Sequence, residues 1–273
     1  MTRIDAHCHV WRLDRGDYGW LEGTGGPLAP LRRDFSAADH PGRAALILVQ
    51  AAPTAAETDH LLTIARTDPR VLGVVGWVDL AAPDAAEALA ARAADPLCVG
   101  IRPMLQDIDD TDWLAGMTGA LGEAARLGLT FDALVTTRHL PMLARVAAAQ
   151  PGLPVVIDHA AKPGTADRPG WAEGVAALAA LPHVHCKLSG LLTELPPAAM
   201  DDPLPTLRPI MRHLLDTFGP ERLIWGSDWP VLTLAAPYAR WEELTEALLA
   251  DLTGAERAAI MGGNAARFYG VAR

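Results

Sequence analysis

The sequence has no run of Lys and Arg. Its 23 basic residues are outnumbered by 33 acidic ones, for a formal net charge of −10. They trace no stripe, so the electrostatic footprint of a nucleic-acid-binding protein is missing. Long apolar stretches are missing too. Segments such as Ala44–Ala52 fall far short of the roughly 20 residues needed to cross a bilayer, so no membrane partner is expected. The opening residues, MTRIDAHCHV, carry neither an apolar core nor a small-residue cleavage site. That argues against a secretory signal and for a cytoplasmic location. Cysteine is scarce. Cys8, Cys98 and Cys186 are odd in number, match no zinc spacing and sit in apolar segments, so they read as buried free thiols in a reducing compartment. There is no internal sequence repeat, low-complexity tract or domain linker. No Gly-rich phosphate loop follows the first apolar segment, where a dinucleotide-binding fold would put one.

What is present is a chain of 273 residues, half of them hydrophobic, enough for one large core. Barrels of about 250 residues commonly fold as one domain. Short apolar runs recur at Ile4–His9, Ala45–Ala51, Val71–Asp79, Cys98–Met104, Thr130–Val135, Val155–Ala161, His183–Leu191 and Leu223–Pro230. Their near-continuous apolarity suits parallel strands buried on both faces. Between them lie stretches of helical period at Thr54–Thr67, Ala82–Ala94, Asp112–Leu127, His139–Gln150, Trp171–Ala180, Pro205–Phe218 and Tyr238–Ala250. Thr54 is placed as an N-cap, with Glu57 completing a capping box. This rhythm predicts an α/β fold, a (β/α)₈ TIM barrel in a single domain over 1–273. Two segments stand outside it. Val10–Arg43, rich in Gly, Pro, Trp and charge, is too long for an idle connection and reads as a packed loop over the barrel mouth. Thr253–Gly270 reads as a terminal helix and tail.

The polar residues at the strand ends carry the chemistry. Alternation groups Asp5, His7 and His9 on one face of the first strand, and two imidazoles two residues apart can converge on one ion. The same count groups Val155, Ile157 and His159, and then Ile224, Gly226 and Asp228. In each case the ionisable residue comes last, at the end of the strand where barrel enzymes place their catalytic groups. Taken singly each has a bland reading. A lone His-x-His is a weak signal. His159 could be a core histidine bonded to Asp158, and Asp228 could cap the turn before Pro230. Together they are harder to dismiss, because unpaired ionisable groups are costly to bury in a barrel core.

Further candidates follow. Arg102 could polarise a carbonyl or bind a carboxylate, or form a rim salt bridge. Gln50 could donate to substrate. Lys187 and Ser189 share a face with His185, Lys187 either at the substrate or as a barrel ion-pair partner. His139 could reach the mouth or simply begin a helix. Trp20 could cover a ring-shaped ligand, whereas Trp77, Trp225 and Trp229 read as packing residues. His40, His60, His183 and His213 fit solvent or helix-surface positions.

At these residues the sequence resembles a known family. Ile4-Asp5-Ala6-His7-Cys8-His9-Val10-Trp11, Asp17-Tyr18-Gly19-Trp20-Leu21, Val49-Gln50-Ala51, Gly100-Ile101-Arg102-Pro103, Ile157-Asp158-His159-Ala160-Ala161-Lys162-Pro163, Lys187-Leu188-Ser189-Gly190-Leu191, Gly226-Ser227-Asp228-Trp229-Pro230 and the tail Gly263–Gly270 are similar to motifs of the amidohydrolase superfamily. They fit the amidohydrolase 2 type, in the branch of sugar-lactone hydrolases (L-fuconolactonase-like and L-rhamnonolactonase-like) and lactonases of aromatic degradation. The likeness runs over essentially the whole chain. It implies hydrolysis of a cyclic ester, with a small lactone as partner, and suggests a homodimer. It places His7, His9, His159 and Asp228 at the reaction centre. The carboxylated lysine and second strand histidine of binuclear relatives are missing, which implies at most one divalent metal ion, Zn²⁺ before others, on His7, His9, His159 and Asp228. Some lactonases of this branch work without a metal, so a metal-independent enzyme is the alternative.

In either version Asp228 is the base for the attacking water, while Arg102 or a histidine stabilises the oxyanion. Two rival readings stand beside this one. One is a non-oxidative decarboxylase of an aromatic or unsaturated acid. The other is a barrel that binds without catalysing.

Overall fold

A computed structural model describes residues 3–164 and 168–271; residues 1–2 and 272–273 of the expected 1–273 domain lie outside the described residues. Eight strands pair in parallel in sequence order: β1 (Ile4–Cys8), β2 (Ala45–Val49), β3 (Val71–Gly76), β4 (Cys98–Ile101), β5 (Thr130–Ala133), β6 (Val155–Ile157), β7 (Val184–Leu188) and β8 (Leu223–Trp225). Helices α1 (Ala55–Thr67), α2 (Ala85–Ala93), α3 (Thr118–Arg126), α4 (Leu140–Ala149), α5 (Arg168–Ala179), α6 (Leu204–Phe218) and α7 (Tyr238–Leu248) follow successive strands from β2 onward. The last strand returns to the first. Asp228 N–H donates to the His7 carbonyl at 2.7 Å and His9 N–H donates to the Trp229 carbonyl at 2.7 Å, making this the (β/α)₈ barrel that the strand rhythm predicts. No helix among the described residues is long and apolar enough to cross a membrane.

Alternation along the strands divides the core in two. Ile47 and Val49 join Ile4, Val75, Val156 and Ile224 inside the barrel, with Ala265 and Tyr269. Leu46 and Leu48 join the larger layer between sheet and helices. Both faces are buried, so each strand is apolar nearly throughout, and each fully buried Val, Leu or Ile side chain stabilises by roughly 1.5–3 kcal/mol.

The first strand breaks the alternation. Asp5 is in register with Leu46, but Cys8 is in register with Leu48, so one extra residue is accommodated as a bulge. Asp5 and Cys8 therefore face the outer layer while His7 and His9 face the axis. The expected grouping of Asp5 with the two histidines is corrected.

The strands end earlier than their apolar runs do. Each run continues past the last paired residue into a loop at the mouth, which is where His9, Gln50, Arg102, His159, Ser189 and Asp228 sit. The capping box expected at α1 is half formed. Thr54 accepts from the Glu57 amide at 3.0 Å, but the Glu57 carboxylate turns inward to the amides of Ala51 and Ala52. The terminal helix expected over 253–270 is three pieces, α8 (Gly254–Ala258), a π turn at Ala259–Gly263 and α9 (Asn264–Phe268), broken at Gly262, whose backbone is not helical. The long connection after β1 folds over the mouth as a run of 3₁₀ turns. Its Trp11, Tyr18, Leu21, Leu31 and Phe35 are buried, and Trp11 and Phe35 exchange backbone hydrogen bonds at 2.9 and 3.0 Å.

Candidate active site

Three imidazoles converge on one carboxylate oxygen. Asp228 Oδ1 lies 3.2 Å from His9 Nε2, 3.7 Å from His7 Nε2 and 3.9 Å from His159 Nε2. All four side chains are buried at the C-terminal end of the barrel. Asp228, His9 and His159 open into a recess of about 180 Å³ that Arg102, Trp20 and Lys162 also line. His7 lies beneath them, fully buried.

The backbone is bent to achieve this. Asp228 has φ of 62°, and His159, Ala160, Ala161 and Lys162 form a left-handed turn with φ between 48° and 59°. An L-residue in this region costs about 1–2 kcal/mol, and such conformations persist where the surroundings impose them. Here Ala160 and Ala161 are fully buried, and the Ala160 carbonyl accepts from the Trp171 indole at 2.7 Å. The turn swings His159 into the site from just beyond β6. Strand parity therefore does not put it there: Val155 and Ile157 face the outer layer, Val156 faces the axis, and the axial residue that follows is Asp158. Two close approaches need glycine. A Cβ on Gly190, which has φ of 60°, would lie 2.5 Å from His159 Nδ1, and one on Gly226 would lie 2.7 Å from the His7 Cβ.

Second partners orient each ring. His9 Nδ1–H donates to the Val49 carbonyl at 2.7 Å. His159 Nδ1 meets Ser189 Oγ at 3.0 Å, so the expected partner Asp158 is replaced by Ser189. Asp158 serves His7 instead, 3.2 Å from Nδ1. Lys187 Nζ approaches the same nitrogen at 3.1 Å, lies 3.0 Å from Asp158 and also bonds Asp132. Tyr269 donates to Asp132 at 2.7 Å. Lys187 thus sits fully buried below the recess in an ion cluster, as one of its two readings had it.

These contacts set the charges. Burial alone would push the Asp228 carboxyl up, but His159, the His9 hydrogen bond and His7 outweigh it and hold it well below the usual carboxylate range. Burial pulls His159 down to about 4, against the opposing pull of Asp228 and Asp158. Burial likewise drives His7 well below its ordinary value. Asp158 is buried, yet Lys187, His7 and Arg102 hold it low, while burial raises Asp132 to about 6. At neutral pH the site is an ionised carboxylate facing the neutral imidazoles of His7 and His159.

The donor set asks for a positive charge at its centre. His9 Nδ1 carries the proton given to Val49, so in the neutral ring the Nε2 lone pair faces a carboxylate oxygen at 3.2 Å. Two acceptors at that distance need a proton or a cation between them. The ligand atoms of His7, His9 and Asp228 lie within 4.8 Å of one another, and two imidazoles with a carboxylate suit zinc-like ions. In a second such group, Asp5, Cys8 and His40, the polar atoms are already engaged, the Cys8 thiol donating to the Ile47 carbonyl. His40 Nε2 donates to Asp5 at 3.0 Å, and its Nδ1 accepts from Gly42. His40 is thus buried, not on the surface as its sequence context suggests.

The remaining candidates divide. Arg102 is 3% exposed and donates to the Gln50 carbonyl and, at 3.5 Å, to Asp158. Its buried Nε has no protein acceptor. Gln50 is fully buried with its amide nitrogen on the Arg102 carbonyl at 2.7 Å, and it does not line the recess. His139 is buried and caps the turn before α4, its Nδ1 accepting from the Thr136 amide at 3.1 Å. Trp20 is half-buried at the recess wall, its indole on the Ala51 carbonyl at 2.8 Å. Trp225 and Trp229 are buried, but Trp77 is only half-buried. Cys8, Cys98 and Cys186 are free and buried. Sequence reasoning missed Lys162 at the recess, although it lies in a quoted motif, and missed Asp132, whose role shows only through Lys187.

The model of the family described as Amidohydrolase matches residues 4–271. The L-fucono-1,5-lactonase of Burkholderia ambifaria is 42% identical over 99% of this chain and 96% of its own length. A crystal structure of an amidohydrolase from Burkholderia multivorans with bound Zn superposes with a TM-score of 0.89 at 37% identity, covering both chains completely. The dihydroxybenzoic acid decarboxylase of Polaromonas sp. JS666 shares the fold, with a TM-score of 0.65 at 14% identity over 98% of this chain and 97% of its own.

Proposed function

The chain belongs to the amidohydrolase family, and from that premise we propose that it hydrolyses the ester ring of a sugar-derived lactone, L-fucono-1,5-lactone being the first to test. The observation that carries this is the meeting of three imidazole Nε2 atoms on the Asp228 carboxylate, at the bottom of a recess large enough for one small ring. The identity with a lactonase over nearly the whole chain supports it. The decarboxylase likeness is one of fold alone, which leaves that alternative without its own support.

His7, His9 and Asp228 would hold one divalent ion, of which zinc is the first candidate, with His159 facing the same oxygen. Such an ion supplies Lewis-acid polarisation of an ester carbonyl and of water. The chain's own groups do the rest. Asp228, kept ionised by its histidines, takes a proton from the attacking water as the water oxygen bonds to the acyl carbon. The Arg102 guanidinium, which lines the recess, is the cation placed to stabilise the oxyanion. The acyl–oxygen bond of the ring breaks, and Asp228 returns its proton to the departing alkoxide. Val49, Asp158 and Ser189 fix the rings so that this geometry needs no rearrangement.

The test is proton release from a panel of sugar lactones and aromatic-derived lactones, with CO₂ release from hydroxybenzoates run in parallel. Sugar lactones are expected to turn over. CO₂ release without any lactone opening would overturn the proposal.

A further inference from the structure

A second cavity, of about 550 Å³, adjoins the recess and shares Trp20, Met104 and Asp107 with it. Ligand sites usually occupy about 300–1,000 Å³. The recess alone is smaller than that, and the two joined fall within the range. The adjoining cavity has tryptophan walls drawn from three separate connections: Trp20 after β1, Trp77 after β3 and Trp113 after β4. None of the three is fully buried. The indole N–H of Trp20 is engaged by Ala51; those of Trp77 and Trp113 have no protein acceptor among the described residues. Around these flat faces stand the carboxylates of Asp17, Asp79 and Asp107. Asp17 pairs with Arg15 at 2.7 Å, Asp79 accepts from the Ala81 amide at 3.0 Å, and the Asp107 carboxylate, at the junction of the two cavities, has no partner among the described residues.

This combination selects a ligand by chemistry. With Asp17 neutralised by Arg15, the carboxylates of Asp79 and Asp107 still repel an anion. A purely apolar ring would cover the indole faces but strand the polar edge without partners, which is costly. A pyranose ring satisfies both requirements, with C–H faces for the indoles and a rim of hydroxyls that donate to carboxylates and accept from indole N–H.

We propose that this cavity seats a second pyranose ring, so that the enzyme opens the lactones of disaccharide aldonic acids as well as those of single sugars. The inference rests on the lactonase reading of the adjoining recess. The chemistry is the same. Water adds to the acyl carbon, the ring acyl–oxygen bond breaks, the alkoxide is protonated, and the glycosidic bond to the second ring stays intact.

The experiment compares kcat/KM for a monosaccharide aldonolactone and a disaccharide aldonolactone in the natural enzyme, Trp77→Ala and Trp113→Ala. The natural enzyme is expected to open both, and the disaccharide-to-monosaccharide ratio is expected to fall tenfold or more in each variant. A ratio within twofold of the natural one in both variants overturns this inference and leaves the lactonase reading standing. Failure to open either lactone overturns both. Should a variant fail to fold, titrating the natural protein with the unreactive parent disaccharide decides the matter. Saturable quenching of tryptophan fluorescence is expected, and its absence overturns the inference.

Discussion

The Asp5 carboxylate accepts the Ser227 backbone amide at 2.8 Å, across the seam where the eighth strand meets the first. The same oxygen lies 3.3 Å from the His7 amide, and the other oxygen accepts from His40. One side chain thus fixes the backbone beside His7 and beside Asp228. Asp5→Ala would strand these buried donors, at about 1–3 kcal/mol each. We expect a loss of roughly 3 kcal/mol or more in unfolding free energy, measured by urea denaturation. Metal affinity is expected to drop about 10–100-fold, as for loss of other supporting partners.

Asp228→Asn keeps the size of the side chain and removes its basicity. Lactone turnover should fall by about 10²–10⁴-fold while the circular dichroism spectrum is unchanged. Activity within a few-fold of the natural enzyme would remove Asp228 from the base role.

The facing lone pairs of His9 and Asp228 lead to a metal prediction. The purified protein should contain close to one divalent ion by elemental analysis. Chelation should abolish turnover and lower the melting temperature, because an ion that binds only the folded state stabilises it. Zinc should restore both. His9→Ala should lose the ion without losing the fold. Full turnover in verified metal-free protein would remove the ion from the mechanism and leave Asp228 and the histidines to act alone.

Glu57 governs a stretch of the pH–stability curve. Burial raises its carboxyl from 4.5 to about 7, partly opposed by the amides of Ala51 and Ala52 and by Arg102. Between these values the folded state binds the proton more tightly than the unfolded chain. Its contribution is therefore fully present below about 4.5 and is lost as pH rises through about 7. The loss is on the order of 3 kcal/mol. Unfolding free energies at pH 5 and pH 8 should show this decline, and Glu57→Gln should flatten it.

Much of the barrel was legible from the chain alone, because strands buried on both faces are apolar nearly throughout and helices between them are not. His7, His9, His159 and Asp228 were legible as candidates because ionisable residues ending apolar runs stand out. For three of them, His7, His9 and His159, strand parity alone is an incomplete reason. His7 and His9 share the axis because a bulge separates them from Asp5, and a period-two count cannot see a bulge. His159 arrives by a left-handed turn of non-glycine residues, which no propensity announces. The same turn makes Asp158 the residue beneath His7, while Lys187 joins it from β7 through partners more than 25 positions away. Such pairings belong to the closed barrel and leave no local pattern.

His9 and Asp228 stand 219 positions apart, on opposite sides of the seam. The carboxylate is supplied by the last strand, which is itself tethered by Asn264 through the carbonyls of Pro220 and Leu223. During synthesis the growing chain emerges N-terminal end first. It would expose its histidines long before it has the acid that completes them. With Asp228 in its proposed role, a nascent or prematurely ended chain would be chemically silent, and the competence of the finished protein would appear in one step, when the final turn of the barrel closes.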